Sequence, residues 1–186
     1  MDSIWTRERP APARETLSRA QIVQAAVTLL DAEGLQGLSM RKLAARLDSG
    51  ATSLYWHVQT KDDLIELVID EVYGEVDLPE PELAGWRPGA ILFAHSLRAA
   101  IMHHTWLPEV IYTRPSLGPK AMSLGERGRV LFGAAGFADR EIDYAMGAVM
   151  SYVIGAARRA GDMMQNEAFA FGLDSLLDGL DARLKK

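Results

Sequence analysis

Apolar positions recur every three to four residues along most of this chain, which predicts helices from end to end and an all-α fold. A capping box of Ser18 and Gln21 predicts the start of the first helix, and Gly34 predicts its end. The apolar stripe of that helix comprises Ile22, Ala25, Ala26, Leu29 and Leu30.

The most informative stretch covers residues 38–58, where the pattern predicts two short helices joined by a tight turn. Ser39 can cap the first helix. The Asp-Ser-Gly segment at 48–50 predicts the turn, because glycine tolerates the backbone angles of a sharp turn. In the second helix Leu54 and Val58 point inward. Four polar side chains are then predicted to face outward, namely Thr52, Ser53, Tyr55 and His57.

A short exposed helix with hydroxyls, a phenol, an indole and an imidazole is typical of a helix that enters a DNA major groove. The Thr and Ser hydroxyls reach phosphates or base edges, and Tyr55 and His57 reach phosphate oxygens. Arg41 and Lys42 on the preceding helix supply positive charge beside the DNA backbone. Spacing alone also allows a purely structural three-helix bundle whose third helix is polar.

Two segments, Leu-Ser-Met-Arg-Lys-Leu-Ala at 38–44 and Leu-Tyr-Trp-His-Val at 54–58, resemble the DNA-binding domain of the tetracycline-repressor (TetR) family. Lys61 and Leu64 extend the resemblance. It implies contacts to DNA from Arg41, Thr52, Ser53, Tyr55, Trp56, His57 and Lys61, to which the charge argument adds Lys42. The family's usual turn glycine is Asp48 here, and the recognition helix begins with Ala51, so the resemblance does not imply an operator sequence.

The chain divides into four predicted regions. Residues 1–15 are rich in Pro and Arg and should form a flexible basic tail, which is either only a tail or an arm that contacts DNA. Thr60 and Asp63 form a second capping box that opens a connector helix. Pro79, Pro81, Gly85 and Pro88 then interrupt the chain. The predicted regions after the tail are a helix-turn-helix domain at 16–62, a connector helix at 63–78, and an effector-binding and dimerisation domain at 79–186.

Two C-terminal segments, 139–160 and about 167–184, carry apolar residues on more than one side. A chain of this size has too few other helices to cover both, so we predict that they pair with a second copy in a four-helix, isologous homodimer interface. The predicted interface residues are Val149, Val153, Leu173, Leu177 and Leu180.

The resemblance also extends to the C-terminal domain of tetracycline repressors, through Thr-Arg-Pro at 113–115, Gly-Phe at 136–137 and the segment 169–173. It implies an effector pocket whose family ligand binds with a divalent metal held partly by a His, a position that aligns with Val110 here. Other ligand positions fall at apolar residues, so we expect a small, hydrophobic, planar effector that binds without a divalent ion. The predicted pocket residues are Phe93, His95, Leu97, His104, Trp106, Val110, Tyr112, Met122, Phe132, Met146 and Met150.

A metal centre or cofactor is not predicted. His103 and His104 diverge by about 100° on a helix, and neither a His-x-x-x-His pair nor a carboxylate at ligand spacing accompanies them. His95 or His104 can instead line the pocket as a hydrogen-bonding group, although an interior or surface histidine is the commoner outcome.

Composition narrows the function classes. The chain has 186 residues, 48% hydrophobic content and no cysteine, with a net charge of −5 that divides into +1 for residues 1–62 and −6 for the remainder. No apolar run is long enough for a membrane span and no signal peptide is present, so we expect a cytoplasmic protein.

An enzyme is not expected, because the chain has no Gly-rich phosphate loop, no nucleophile elbow and no Cys nucleophile. The sequence therefore predicts a ligand-responsive transcriptional repressor that binds a palindromic double-stranded DNA operator as a homodimer. The alternatives are an activator, a regulator without a small-molecule effector, and a helical adaptor that does not bind DNA.

Overall fold

The computed structural model describes residues 17–79, 85–114, 116–157 and 163–185, and all regular structure in these ranges is helical, which confirms the all-α prediction. The basic tail predicted at 1–15 lies outside the described residues. The helices of the described part are α1 (Arg19–Gly37), α2 (Met40–Arg46), α3 (Ala51–Tyr55), α4 (Lys61–Tyr73), α5 (Trp86–His103), α6 (Leu107–Val110), α7 (Pro119–Ala134), α8 (Asp139–Ala157) and α9 (Met163–Leu184).

Helices α1 to α3 form the N-terminal unit around a small apolar core. The Ser18 capping box is present, with the Gln21 N–H donating to Ser18 Oγ at 3.2 Å and the Ser18 N–H donating to Gln21 Oε1 at 2.8 Å. Gly34 interrupts the helix at the predicted position, with φ 67° and ψ −175°, and a short further helical segment follows to Gly37, so α1 is kinked there.

Helix α4 connects the N-terminal unit with the rest of the chain. Its capping box of Thr60 and Asp63 forms as predicted, with reciprocal hydrogen bonds of 3.0 Å. The helix packs against α1 and also against α7, burying Leu64, Val68 and Val72. Helix α4 therefore contacts both the N-terminal unit and the C-terminal helices.

The C-terminal helices pack around α8, which contacts α5, α7 and α9. Leu97, Leu131 and Val153 are fully buried in this core. Helix α9 begins at Met163, several residues before the predicted start at 167. Its contact with α5 includes a charged cluster, because the Arg87 guanidinium lies 2.8 Å from both Asp178 and Asp181. Among the described residues, no helix combines the length and apolarity needed to cross a membrane.

Candidate DNA-binding surface and internal cavity

The helix-turn-helix unit is held together by buried side chains from both short helices. Leu43 of α2, Leu54 of α3 and Val58 are at most 2% exposed. Ser39 caps α2 by accepting from the Lys42 N–H at 3.2 Å. The left-handed residue of the turn is Asp48, with φ 46°, whereas Gly50 is extended with φ −72° and ψ 142°. The expectation that Gly50 supplies the special backbone angles is therefore wrong, and Asp, which tolerates this region better than most residues, supplies them instead.

One surface of the unit carries most of the predicted DNA contacts. Thr52, Ser53, Tyr55 and Trp56 are exposed, whereas His57 is half-buried. The Trp56 indole is 85% exposed, although burying an aromatic ring of this size is strongly favourable. The ring and the exposed hydroxyls of Thr52 and Ser53 are therefore accessible to a partner at this surface.

Of the three predicted DNA-binding cations, Arg41 points to solvent, whereas Lys42 and Lys61 contact α1. Arg41 is exposed on α2. The Lys42 ammonium lies 2.6 Å from the Glu33 carboxylate of α1, and the Lys61 ammonium donates to the Leu35 carbonyl at 3.3 Å. Both lysines are thus fixed against the kinked end of α1.

A cavity of about 270 Å³ lies among α4, α5, α7 and α8. Four of its lining residues, Phe93, Phe132, Met146 and Met150, belong to the set proposed from the sequence. The other lining residues are Tyr73, Leu78, Ile111, Ser116, Ala121, Leu124, Gly125, Gly128, Gly147 and Val149. The walls are therefore mainly apolar, with two hydroxyl groups among them.

Those hydroxyls belong to Tyr73 and Ser116, and the Ser116 hydroxyl donates to the Tyr73 oxygen at 3.4 Å. Burial raises the pKa of Tyr73, so its phenol stays protonated at neutral pH and can donate to an acceptor on a ligand. Neither residue is in the predicted pocket set, because Tyr73 falls within the predicted connector helix and Ser116 lies in a loop without periodicity.

Seven residues of the predicted pocket set do not line this cavity. Leu97 and Val110 are buried in the helical core, while Tyr112 and Met122 are 60% and 57% exposed. The remaining three are His95, whose ring lies 5.3 Å from that of Phe169, and His104 and Trp106, which are buried together elsewhere.

The buried residues His104 and Trp106 form a polar cluster with the more exposed carboxylates of Asp31 and Glu75, called here the His104 cluster. The imidazole is 2% exposed, with Nδ1 at 2.7 Å from Asp31 Oδ1 and Nε2 at 3.0 Å from Glu75 Oε2. The Trp106 indole N–H donates to the same Asp31 oxygen at 2.8 Å. Burial alone would lower the pKa of His104, but the hydrogen bonds to Asp31 and Glu75 outweigh it and raise that pKa.

No carboxylate lies at ligand spacing from His104 in the sequence, but the fold brings Asp31 and Glu75 to it from distant parts of the chain. The possible ligand atoms of Asp31, His103 and His104 also lie within 4.8 Å of one another. The expectation that His104 has no nearby carboxylate is wrong, because a contact over 73 residues leaves no trace in local spacing.

The raised pKa of His104 gives a pH dependence of stability with a defined sign. The stabilisation by the charged ring is complete below the unfolded pKa of about 6.5 and is lost as pH rises through the higher folded pKa. Glu75→Gln removes one of the carboxylates that raise this pKa. We expect the parent to have a higher urea midpoint than Glu75→Gln near pH 6 and the difference to vanish near pH 9. Circular dichroism across this range checks it, and parallel profiles would contradict the assignment.

The predicted dimer residues are buried within the single chain. Val153, Leu173, Leu177 and Leu180 are at most 8% exposed, and Val149 lines the cavity. Their apolar stripes are therefore already covered by the chain's own helices. The apolar groups left uncovered on α8 and α9 include Tyr144 and Phe171, which are 71% and 77% exposed. A groove between the two helices runs past Tyr144, Ala148, Ser175 and Gly179.

A helix-turn-helix unit joined by one connecting helix to a cavity-bearing helical region has the architecture of a DNA-binding regulator with a ligand-binding domain. Residues 22–68 match the family model of bacterial regulatory proteins of the tetR family, and residues 78–164 match that of the tetracyclin repressor-like C-terminal domain. The chain belongs to the TetR family, which confirms the resemblance seen in its sequence.

Known proteins support this assignment. An HTH-type transcriptional regulator of Saccharopolyspora erythraea is 44% identical over 155 residues, covering 83% of this chain and 66% of the relative. The chain thus spans just under two thirds of that relative's length. Apo ActR from Streptomyces coelicolor matches with TM-score 0.86 and 31% identity, covering 93% of this chain and 99% of ActR. The ActR–actinorhodin complex matches with TM-score 0.82 and 29% identity, covering 91% of this chain and 99% of ActR. BioQ with its double-stranded DNA operator matches with TM-score 0.73 and 32% identity over 89% and 99%.

Proposed function

We propose that this protein is a ligand-responsive transcriptional repressor that binds a palindromic operator as a homodimer and is released by a small effector. The observation that carries the proposal is the position of Tyr73. It is the last residue of α4, which starts six residues after α3, and its side chain lines the cavity. A single helix therefore joins the candidate DNA-binding surface to the candidate effector site.

DNA binding is assigned to α3 and the exposed residues beside it. Thr52, Ser53 and Tyr55 would contact base edges and phosphates in the major groove, and Arg41 would approach the DNA backbone. Trp56 would lie against the sugar-phosphate surface, which explains why so large a ring is left exposed. The match to the operator-bound BioQ structure supports this mode of binding.

Three contacts tie α4 to the segment that borders the cavity. Asp70 accepts from the Ala121 N–H at 2.9 Å and so caps α7, the Glu71 carboxylate lies 2.7 Å from the Lys120 ammonium, and Asp62 lies 2.8 Å from Arg114. A ligand that moves the start of α7 would thus swing α4. Two helix-turn-helix units must lie about 34–36 Å apart to enter successive major grooves, so a small swing is enough to weaken binding.

The cavity favours a small, planar, largely hydrophobic effector with a polar edge. Aromatic and methionine side chains adapt to flat apolar ligands, and the Tyr73 and Ser116 hydroxyls can bind a carbonyl or hydroxyl group. No carboxylate or imidazole lines the cavity within the part of the chain that the structure describes, so we propose binding without a divalent ion. The similarity to ActR in complex with actinorhodin supports a ligand of this kind.

The homodimer is proposed to form through the outer faces of α8 and α9. The exposed rings of Tyr144 and Phe171 would be covered by the second chain, and the small side chains at Ala148, Ser175 and Gly179 permit close approach of helices. In this proposal residues 16–62 form the DNA-binding domain, 63–78 the connector, and 79–186 the effector and dimerisation domain. The protein would act in the cytoplasm, without a cofactor, a membrane partner or enzymatic activity.

Filling the cavity tests the effector assignment. A Cβ atom added at Gly125 has no heavy atom within 4 Å, so Gly125→Leu should place its side chain in the cavity while improving the helix propensity of α7. We expect it to fold, to bind operator like the parent, and to lose binding of hydroxylated anthraquinones that shift the melting temperature of the parent. Ser123→Leu, on the exposed side of the same helix, is the matched control.

The screen is run with and without EDTA, and every hit is titrated into the protein–DNA complex. Hits that need a divalent ion, or that bind Gly125→Leu as tightly as the parent, would contradict the proposed site. Hits that bind tightly and never release DNA would favour a regulator without this effector response.

A further inference from the structure

The His104 cluster joins three segments that are far apart in the chain. Asp31 lies on α1 of the DNA-binding unit, Glu75 follows α4, and His104 lies at the end of α5. Both ring nitrogens face carboxylate oxygens, and only an imidazolium donates a hydrogen bond to both. The ring itself is 2% exposed, whereas the side chains of Asp31 and Glu75, which are 25% and 48% exposed, reach it from the surface.

Residues on either side of Glu75 in the chain line the effector cavity. Tyr73 and Leu78 line the cavity, and Glu75 lies between them in the chain. The backbone is held close to α5, because the Asp77 N–H donates to Ser96 Oγ at 2.8 Å and Val76 is buried. A ligand that displaces Tyr73 or Leu78 must therefore displace Glu75 relative to His104.

At the other end of the cluster, α1 is held by Asp31. The same Asp31 oxygen accepts from His104 and from the Trp106 indole, whose ring is 1% exposed. Helix α1 also supplies Ile22 and Leu30 to the buried core beneath α2 and α3. Loosening Asp31 would thus free the DNA-binding unit to shift as a whole.

We propose that the His104 cluster transmits occupancy of the cavity to α1, through Glu75, as a second connection beside the contacts between α4 and α7. The proposal rests on the proposed function and specifies its regulation. Glu75 and His104 are positioning residues in this account, since neither lines the cavity nor lies on the DNA-binding surface. They set the orientation of the DNA-binding unit instead.

The first test measures that orientation directly and needs no ligand. The chain contains no cysteine, so Gln24→Cys on α1 and Arg140→Cys on α8, both exposed, can carry a pair of spin labels on the full chain. Labelled chain is diluted with unlabelled chain so that only intrachain distances are recorded, and EDTA excludes metal bound at the cluster. We expect Glu75→Ala to broaden or shift the distance distribution. Asp77→Ala, which removes an exposed carboxylate from the same segment, should match the parent.

The second test measures the coupling between ligand binding and DNA release. A merely structural role of Glu75 would not change this coupling selectively. The probe is alizarin, a planar dihydroxyanthraquinone, and the DNA is a fragment selected by the parent from a random pool. We expect alizarin to weaken DNA binding by the parent about 5- to 150-fold. Glu75→Ala should bind alizarin with an affinity close to that of the parent. Its DNA affinity should already be lower without ligand, because the orientation of the DNA-binding unit is no longer fixed, and alizarin should lower it little further.

The outcomes separate the two claims. Identical distance distributions for Glu75→Ala, Asp77→Ala and the parent would overturn the role of the cluster, as would full release of DNA from Glu75→Ala by alizarin. A parent that alizarin binds without releasing DNA would count against the proposed function. The distance measurement would still decide whether the cluster positions α1.

Discussion

The Arg41→Ala, Tyr55→Phe double variant is expected to bind operator at least about 1000-fold more weakly than the parent while keeping its fold. Both side chains are exposed, and Tyr55→Phe removes only a hydroxyl, so neither change disturbs the buried core. Each lost base or phosphate contact costs about 1–3 kcal/mol, and a homodimer loses it in both half-sites. Fluorescence anisotropy with labelled operator at several salt concentrations measures the effect.

The salt dependence separates this loss from general damage. Removing a phosphate contact lowers the slope of log affinity against log salt by about one per contact, so the variant should give a flatter line. Arg140→Ala, which removes an exposed arginine from α8, should keep the slope and the affinity of the parent. Equal binding by the double variant and the parent at every salt concentration would show that α3 is not the DNA-contacting helix.

The Tyr144→Glu, Phe171→Glu double variant is expected to give a folded monomer that no longer binds operator with high affinity. Both rings are more than two thirds exposed in the single chain, so charge at these positions is tolerated by the monomer. In the proposed interface each carboxylate would be buried without a partner, at a cost of several kcal/mol. Sedimentation velocity gives the oligomeric state, and circular dichroism gives the helix content.

Two control substitutions make the dimer result specific. Phe171→Leu keeps an apolar group and should remain dimeric. Leu177→Glu, at a position that the sequence predicts to lie in the dimer interface, places a charge where the side chain is 0% exposed in the monomer and should unfold the chain. A Tyr144→Glu, Phe171→Glu variant that sediments as a dimer would rule out the outer face of α8 and α9 as the interface.

The helix-turn-helix unit is the part that local sequence specifies most completely. Its caps at Ser18, Ser39 and Thr60 form as their spacing predicts, because each uses residues within one helical turn. Leu54 and Val58 are buried on the face that their four-residue spacing predicts. Two details differ, since Asp48 and not Gly50 has the left-handed conformation, and His57, which was expected to face outward, is half-buried.

The cavity was less predictable because its walls come from four helices and a loop. Phe93, Phe132, Met146 and Met150 are among the residues that the sequence predicts for the pocket, but the space at Gly125 and Gly147 arises from side chains that are missing. Which face of α8 points inward also depends on its neighbours, so Val149 lines the cavity where a dimer contact was predicted.

The His104 cluster shows the same limit for polar groups. Its carboxylates lie 73 and 29 residues from the histidine, so helical spacing around His103 and His104 contains no sign of them. Only the tertiary packing of α1 and the segment after α4 against the end of α5 brings these charges together. Long-range pairing of this kind is set by the whole fold and leaves no local pattern to detect.

Selection of DNA from a random pool, followed by titration of the enriched fragment, tests the central claim most directly. Operator recognition by a homodimer predicts a palindromic fragment that binds two chains, loses affinity when its half-site spacing is altered, and is released by a ligand that Gly125→Leu does not bind. If ligand-free protein at low salt enriches no fragment above the starting pool, the protein is not a sequence-specific DNA-binding regulator.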